Sequence, residues 1–265
     1  MAKARKILSR RKAVQSIHTV TRAMEMVSTA RFKRTFNRCL SARGYIDGVS
    51  ELTEDVIAKT DPKDLRHPLL HRKSIDTPRI LLILTSERGL CGGYNTAVLN
   101  KALSQRDELL AAKTKVRIEI FGKCGVTELT YSKVPIDKTH KEINMMMGRW
   151  HRVSRLADAY SSEFFNGSIS GLDVAYAALI GSGRYEPTIQ MLLPMQTEHE
   201  NQAAETLEPE KEEWKTWEPL EPPEPYEPLP PPEFEYEFVP SPAELFKRLL
   251  PATLRLGLFQ CFLEA

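Results

Sequence analysis

The stretch "RILLILTSERGLCGGYN", residues 79–95, decides what kind of domain this chain builds. Its opening run is apolar without alternation and rich in isoleucine and leucine, which predicts a strand covered on both faces. A glycine-rich turn follows, and after it a helical stretch over residues 96–112. The same grammar repeats downstream. "VRIEIFG" (116–122) reads as a strand, "KCGVTELTYS" (123–132) as a helix and "RVSRLADAYSSEFFNG" (152–167) as an amphipathic helix. "LDVAYAALI" (172–180) and "TIQMLLPM" (188–195) read as further strands. Strands alternating with helices predict a parallel or mostly parallel sheet in an α/β domain.

Upstream the pattern is different. Residues 3–58 contain no proline, and their glycines, Gly44 and Gly48, come late, so the segment reads as helix almost throughout. Such a helix would reach roughly 80 Å, longer than a small domain is wide. Ala13, Ile17, Val20, Met24 and Val27 recur with a 4-3-4-3 spacing, a narrow seam suited to one partner helix, as in a coiled coil. The competing reading is an amphipathic helix lying on a globular core. Beyond Val27 the stripe thins into Arg31, Arg34 and Arg38, which argues against full burial.

Charge is distributed unevenly. The chain has 265 residues and a formal charge of only +2, yet between Met1 and Arg38 Glu25 is the sole acid among many cations. Residues 198–237 are instead crowded with glutamate and proline. The basic end should therefore seek an acidic surface. The expected organisation is a basic helix over 1–60, a polar linker over 61–78 and an α/β domain over 79–197. An extended Pro/Glu-rich loop over 198–232 and a strand followed by a helix over 233–265 complete it. In that last segment Ser241 is a candidate N-cap with Pro242 at the first helical position. Pro251 should break or kink the helix, and the chain stops in the middle of an apolar helical pattern.

Little of this looks like chemistry. Cys39, Cys91, Cys124 and Cys261 are scattered, which predicts free thiols rather than a zinc site or disulfide framework. No apolar run reaches the roughly 18 residues of a membrane span, and no apolar segment follows the basic N-terminus as in a secretory signal. A transit peptide shares the basic, acid-poor character and stays open. The turn "ERGLCGGYN" occupies a phosphate-loop position but matches neither GxGxxG nor GxxxxGK[ST], and no lysine follows it. Its structural reading has the glycines turning tightly and packing close, with Cys91 as a small core residue. Cys91 as a nucleophile lacks a paired base among His18, His67, His71, His140, His151 and His199. "GSGRYEP" reads as a strand-end turn and the Met145–Met147 run as apolar packing. No catalytic, cofactor or metal site is expected.

Two segments together carry a resemblance. "SIHTVTRAMEMVSTARFKR" (16–34) resembles the N-terminal helix of the ATP synthase gamma subunit, with its T-[IV]-T-[KR]-A-M-x-M-V run at residues 19–27. "LTSERGLCGGYN" (84–95) is similar to the segment that opens that family's globular domain, and "LDVAYAALI…LLPM" and "YEFVPSPAELFKRLLP" resemble later blocks in the right order. The resemblance implies an α/β, Rossmann-like globular domain with a mostly parallel sheet plus a long N-terminal coiled-coil-type helix. It implies a non-catalytic central-stalk subunit that couples proton flow to ATP synthesis by rotation inside a catalytic head. The implied partners are the alpha and beta subunits of that head, the epsilon subunit and the c-ring. No cofactor, nucleic acid or small-molecule substrate is implied, and the place is the cytoplasmic face of a bacterial inner membrane or its organelle equivalent.

Shaft contacts then fall on Ile17, Val20, Thr21, Arg22, Met24, Met26, Val27, Arg31, Lys33 and Arg34. The globular-domain turn falls on Arg88, Gly89, Leu90, Cys91, Gly92 and Gly93. Family members continue past the position of Ala265 into a long helix, so the seam 17–27 is expected to be exposed, frayed or bound to something else. The Pro/Glu-rich segment is longer than the family pattern. Three other readings remain: a basic helix that binds nucleic acid, a nucleotide-binding α/β enzyme, and a degenerate gamma paralogue without coupling function.

Overall fold

The computed structural model describes residues 2–58, 60, 67–71, 77–140, 149–181, 183–195 and 242–265. The Pro/Glu-rich loop, the strand read at "FEYEFVPS", the Ser241 cap and the methionine run lie outside the described residues.

Helix α1, Ala2–Ala58, is a single uninterrupted rod. Strand β1 (Arg79–Leu84) leads to α2 (Tyr94–Ala111), β2 (Val116–Phe121), α3 (Lys123–Tyr131) and a short β3 (Lys138–His140). Helix α4 (Arg149–Phe165), strands β4 (Gly171–Gly181) and β5 (Arg184–Leu193) and helix α5 (Pro242–Glu264) complete the order. The sheet runs β3-β2-β1-β4-β5. The first four strands are parallel and β5 is antiparallel to β4, so the sheet is mixed but mostly parallel.

The apolar run at 80–84 is explained by its place. Strand β1 is central, with Leu81 opposite Ile118 on one side and Asp173 on the other, and Ile80–Leu84 are buried throughout. Side chains alternate across it. Leu81 and Ile83 pack with Ile118 and Ile120 against Val98, Leu99 and Ala102 of α2 and Leu129 of α3. Ile80, Leu82 and Leu84 pack against Val153, Ala157 and Phe164 of α4 and Leu250, Leu254 and Leu258 of α5. This division follows from connection handedness. The crossovers through α2 and α3 step outward from β1 to β3, whereas the one through α4 steps back across β1 to β4 and covers the opposite face.

Two expectations need correction. Helix α5 continues through Pro251 rather than breaking there. The carbonyl deprived of its donor belongs to Lys247, an exposed residue, while Phe246, Leu250, Leu254, Leu258 and Cys261 keep one continuous stripe buried across the proline. Within the polar stretch 61–78, a 3-10 turn at Pro68–Leu70 buries Leu69 completely in the core beneath α4, and His67 accepts the Leu69 N–H through Nδ1.

Over α5 lies the C-terminal half of α1. Cys39, Ile46, Thr53, Val56 and Ile57 are its buried residues, spaced as a coiled-coil seam. Thr53 meets Thr253, hydroxyl to hydroxyl, at 2.9 Å, and Arg43 meets Glu264 at 3.0 Å, so the two helices are antiparallel. Residues 4–34 of α1 are all exposed. At the helical rise that length extends about 45 Å.

Candidate interaction surfaces

The projecting part of α1 carries every shaft residue picked from the sequence. Ile17 is 62% exposed, and Val20, Met24, Met26 and Val27 are exposed with it on the narrow seam side and its shoulder. Thr19 and Thr21 turn their hydroxyls back onto the carbonyls of Gln15 and Ile17, each at 3.0 Å, so they present methyl groups outward rather than free donors. None of the ion pairs among the described residues involves Arg22, Arg31, Lys33 or Arg34. Phe32 and Phe36 stack with ring centres 5.6 Å apart, stiffening the stretch where the seam gives way to cations. A rod with apolar and cationic groups both left in solvent suits a surface that is apolar and acidic.

The turn between β1 and α2 is the second surface. Asn95, in the first turn of α2, is its clamp: Oδ1 accepts the Ser86 N–H at 2.9 Å, and Nδ2 donates to Ser86 Oγ at 2.9 Å and Cys91 Sγ at 3.1 Å. Ser86 Oγ in turn donates to the Arg88 carbonyl at 2.8 Å. These bonds hold Leu90 at φ 66°, a left-handed conformation unusual for a bulky residue, with its side chain 91% exposed. Gly92 has φ 59°, which glycine tolerates without strain. The close-packing expectation for these glycines is overturned: a Cβ at Gly89, Gly92 or Gly93 would meet no atom within 4 Å. Cys91 is half-buried, not a core residue. The turn thus displays Arg88 and Leu90 on a rigid frame. No hydrogen bond or ion pair among the described residues links it to residues 4–38 of α1, so the two sets form separate surfaces.

A polar centre that the sequence reading missed lies at Glu119. This β2 residue is wholly buried, and its carboxylate meets His140 Nε2 at 2.6 Å, the Tyr160 hydroxyl at 2.8 Å and Arg117 at 2.9 Å, with Lys138 at 3.9 Å. Burial pushes this carboxyl upward, but the bonds from His140 and Tyr160 and the Lys138 charge bring it below the usual glutamate range. Burial beside the same carboxylate pushes the Tyr160 phenol far up. Arg117 continues the chain to Glu163 at 2.6 Å. The cluster ties β2 to β3 and α4. Above it, a cleft of about 500 Å³ is lined by Glu87, Lys123, Thr127, Thr139 and His140. The amides that open α3 do not face it free: Cys124 and Gly125 donate to the Ser86 carbonyl and Thr85 Oγ1. Only a glutamate inside "VRIEIF" could have signalled the cluster, because its partners come from two distant segments.

Among the described residues no group of histidine, cysteine, aspartate and glutamate side chains could hold a metal ion, and no helix is long and apolar enough to cross a membrane. With the geometry in view, comparison with known proteins is decisive. The sequence profile described as ATP synthase matches residues 3–265. An ATP synthase gamma chain of Rhodopirellula baltica is 30% identical over 100% of this chain and 82% of its own length. The chain belongs to the ATP synthase gamma family. A gamma chain of Laribacter hongkongensis is 29% identical over 75% of this chain and 68% of its own. In three dimensions the chain is similar to one in the central stalk and c-ring structure of the Tetrahymena thermophila mitochondrial ATP synthase. That match has a TM-score of 0.54 and 15% identity and covers 92% of each chain, a likeness of fold.

Proposed function

We propose that this chain is the central-stalk gamma subunit of a rotary ATP synthase and that its role is mechanical. In this reading the exposed part of α1 stands inside the ring of alpha and beta subunits. The sheet domain sits outside, toward the epsilon subunit and the c-ring, on the cytoplasmic face of the membrane. Proton flow turns the whole, and the changing face that α1 offers to the ring drives the nucleotide sites through their states. The chain itself makes and breaks no bonds.

The observation that carries this reading is the division of α1 into two physical halves. One half buries one face on α5 and the other, residues 4–34, leaves Ile17, Val20, Met24 and Val27 in solvent beside Arg22, Arg31, Lys33 and Arg34, which form no ion pair among the described residues. Cations of this kind slide past acidic loops because each exposed ion pair is worth only about 0–1 kcal/mol. Met24 and Met26 add apolar contact that re-forms easily as the surface changes. Arg88 and Leu90 are proposed as a second contact, at the base of the head.

The test is co-expression with ATP synthase alpha and beta subunits, followed by capture through a tag on either partner. Retention of this chain, and its loss when Val20 and Met24 are changed to aspartate, is the expected result. Salt-sensitive retention of nucleic acid with no synthase subunit would overturn the proposal in favour of a basic binding helix.

A further inference from the structure

The long helix has to be fixed to the sheet if twist is to pass between them, and one joint among the described residues is built for that. Glu264, near the end of α5, has a side chain only 2% exposed. Its Oε1 accepts from Arg43 of α1 at 3.0 Å and from Gln260 at 3.2 Å, and its Oε2 accepts the backbone N–H of Leu179 in β4 at 3.2 Å. Arg43 also donates to the Leu179 carbonyl at 3.3 Å. Strand β1 pairs with β4 only as far as Ala175. Beyond that point the backbone of β4 lacks its strand neighbour on this side. The guanidinium and carboxylate take its place, one bonding the C=O and the other the N–H of the same residue.

Three elements therefore meet at one residue pair. About 15 Å further along α1, Thr53 and Thr253 form a second polar contact in an otherwise apolar seam. Apolar seams alone permit slippage by a turn, because one leucine-sized contact resembles the next. A polar residue at a seam position fixes register, since any shift buries it without its partner. Arg43 flanks the seam between Cys39 and Ile46 with its side chain 40% exposed, and it is Glu264, 2% exposed, that a shift would leave buried without its partner. Two pins on one helix fix sliding as well as rotation about its own axis.

We infer that the Arg43–Glu264–Leu179 clasp, seconded by Thr53–Thr253, is the torque-bearing joint of the chain, which keys α1 in register and azimuth to the sheet. Arg43 and Glu264 act as positioning residues, through the helix they hold. The mechanical consequence rests on the central-stalk reading given above; the keying itself does not.

Two measurements on the full chain separate these. Spin labels on non-natural amino acids at Ala30 in the projecting rod and Lys101 in α2 report the distance between rod and sheet domain. Arg43→Ala and Glu264→Gln should each broaden that distribution about twofold, and Thr53→Val should broaden it less. If Arg43→Ala fails to fold, Arg43→Lys retains one charged contact and should give an intermediate width. In the complex assembled with the other synthase subunits, both clasp variants should still be captured and hydrolyse ATP. Their ratio of ions pumped to ATP hydrolysed should fall about threefold or more. A purely stabilising contact would lower the unfolding midpoint and leave that ratio alone. Distributions of wild-type width in both variants, or an unchanged pumping ratio in assembled complexes, overturn the inference. A wild-type chain that captures no alpha or beta subunit sinks the central-stalk reading, while the distance widths still decide the keying.

Discussion

Replacing Tyr160 by phenylalanine takes away a single oxygen, the one that donates to Glu119 Oε2 at 2.8 Å. The ring remains, wholly buried between α4 and the sheet, so no cavity opens. What is lost is chiefly one hydrogen bond to a charged acceptor, worth about 1.5–3 kcal/mol, together with a longer contact of 3.3 Å to His140 Nε2. Glu119 keeps His140 at 2.6 Å and Arg117 at 2.9 Å, which places the expected loss in the lower part of that range, about 1.5–2 kcal/mol. The thermal midpoint should drop by about 3–8 °C. The loss must also depend on pH with a definite sign. Burial pushes the Glu119 carboxyl up, but the bonds from His140 and Tyr160 outweigh it, so the folded value lies below the unfolded one. A depressed carboxyl contributes its stability above the unfolded value of about 4.3 and loses it as pH falls through the folded value. The gap between wild type and Tyr160→Phe should therefore be full at pH 7 and shrink below about pH 4. Urea unfolding at the two pH values, with slopes compared to confirm an unchanged unfolded state, measures it. A gap under about 0.5 kcal/mol at pH 7, or one that widens on acidification, would refute the reasoning.

Three further outcomes follow from the same structure. Asp173 is nearly buried and held by Arg79 through two bonds of 2.5 and 2.6 Å, so Arg79→Ala should lose about 3–5 kcal/mol in urea unfolding, whereas replacing both partners by leucine should come close to neutral. Leu250→Ala, in the wholly buried stripe of α5, should lose about 2–5 kcal/mol, while Val20→Ala on the exposed rod should stay within about 0.5 kcal/mol. A thiol reagent should label Cys91 and Cys124 in the folded chain and reach Cys261, which is buried and pushed far above the usual thiol range, only on unfolding.

What could be read from residue order was whatever depends on neighbours a few positions away. The unbroken apolar run at Ile80–Leu84 and the proline-free stretch of α1 each declare their state within a dozen residues, because burial on both faces and helical periodicity are local patterns. The α/β alternation follows from adding such pieces. Local reading also has its own failure. Pro251 signals an end to a helix, and the signal is overridden by a buried stripe whose partners, Ile80, Leu82 and Leu172, lie far away in sequence.

The joints of the molecule have no local signature at all. Glu119 becomes a polar centre only because β3 brings His140 and α4 brings Tyr160 to it; Arg43 becomes a pin only because α5 brings Glu264 beside it. Each is an ordinary charged residue in its own segment. Its meaning comes from packing that removes water and leaves one partner in reach, and that pairing is made across the fold rather than along the chain.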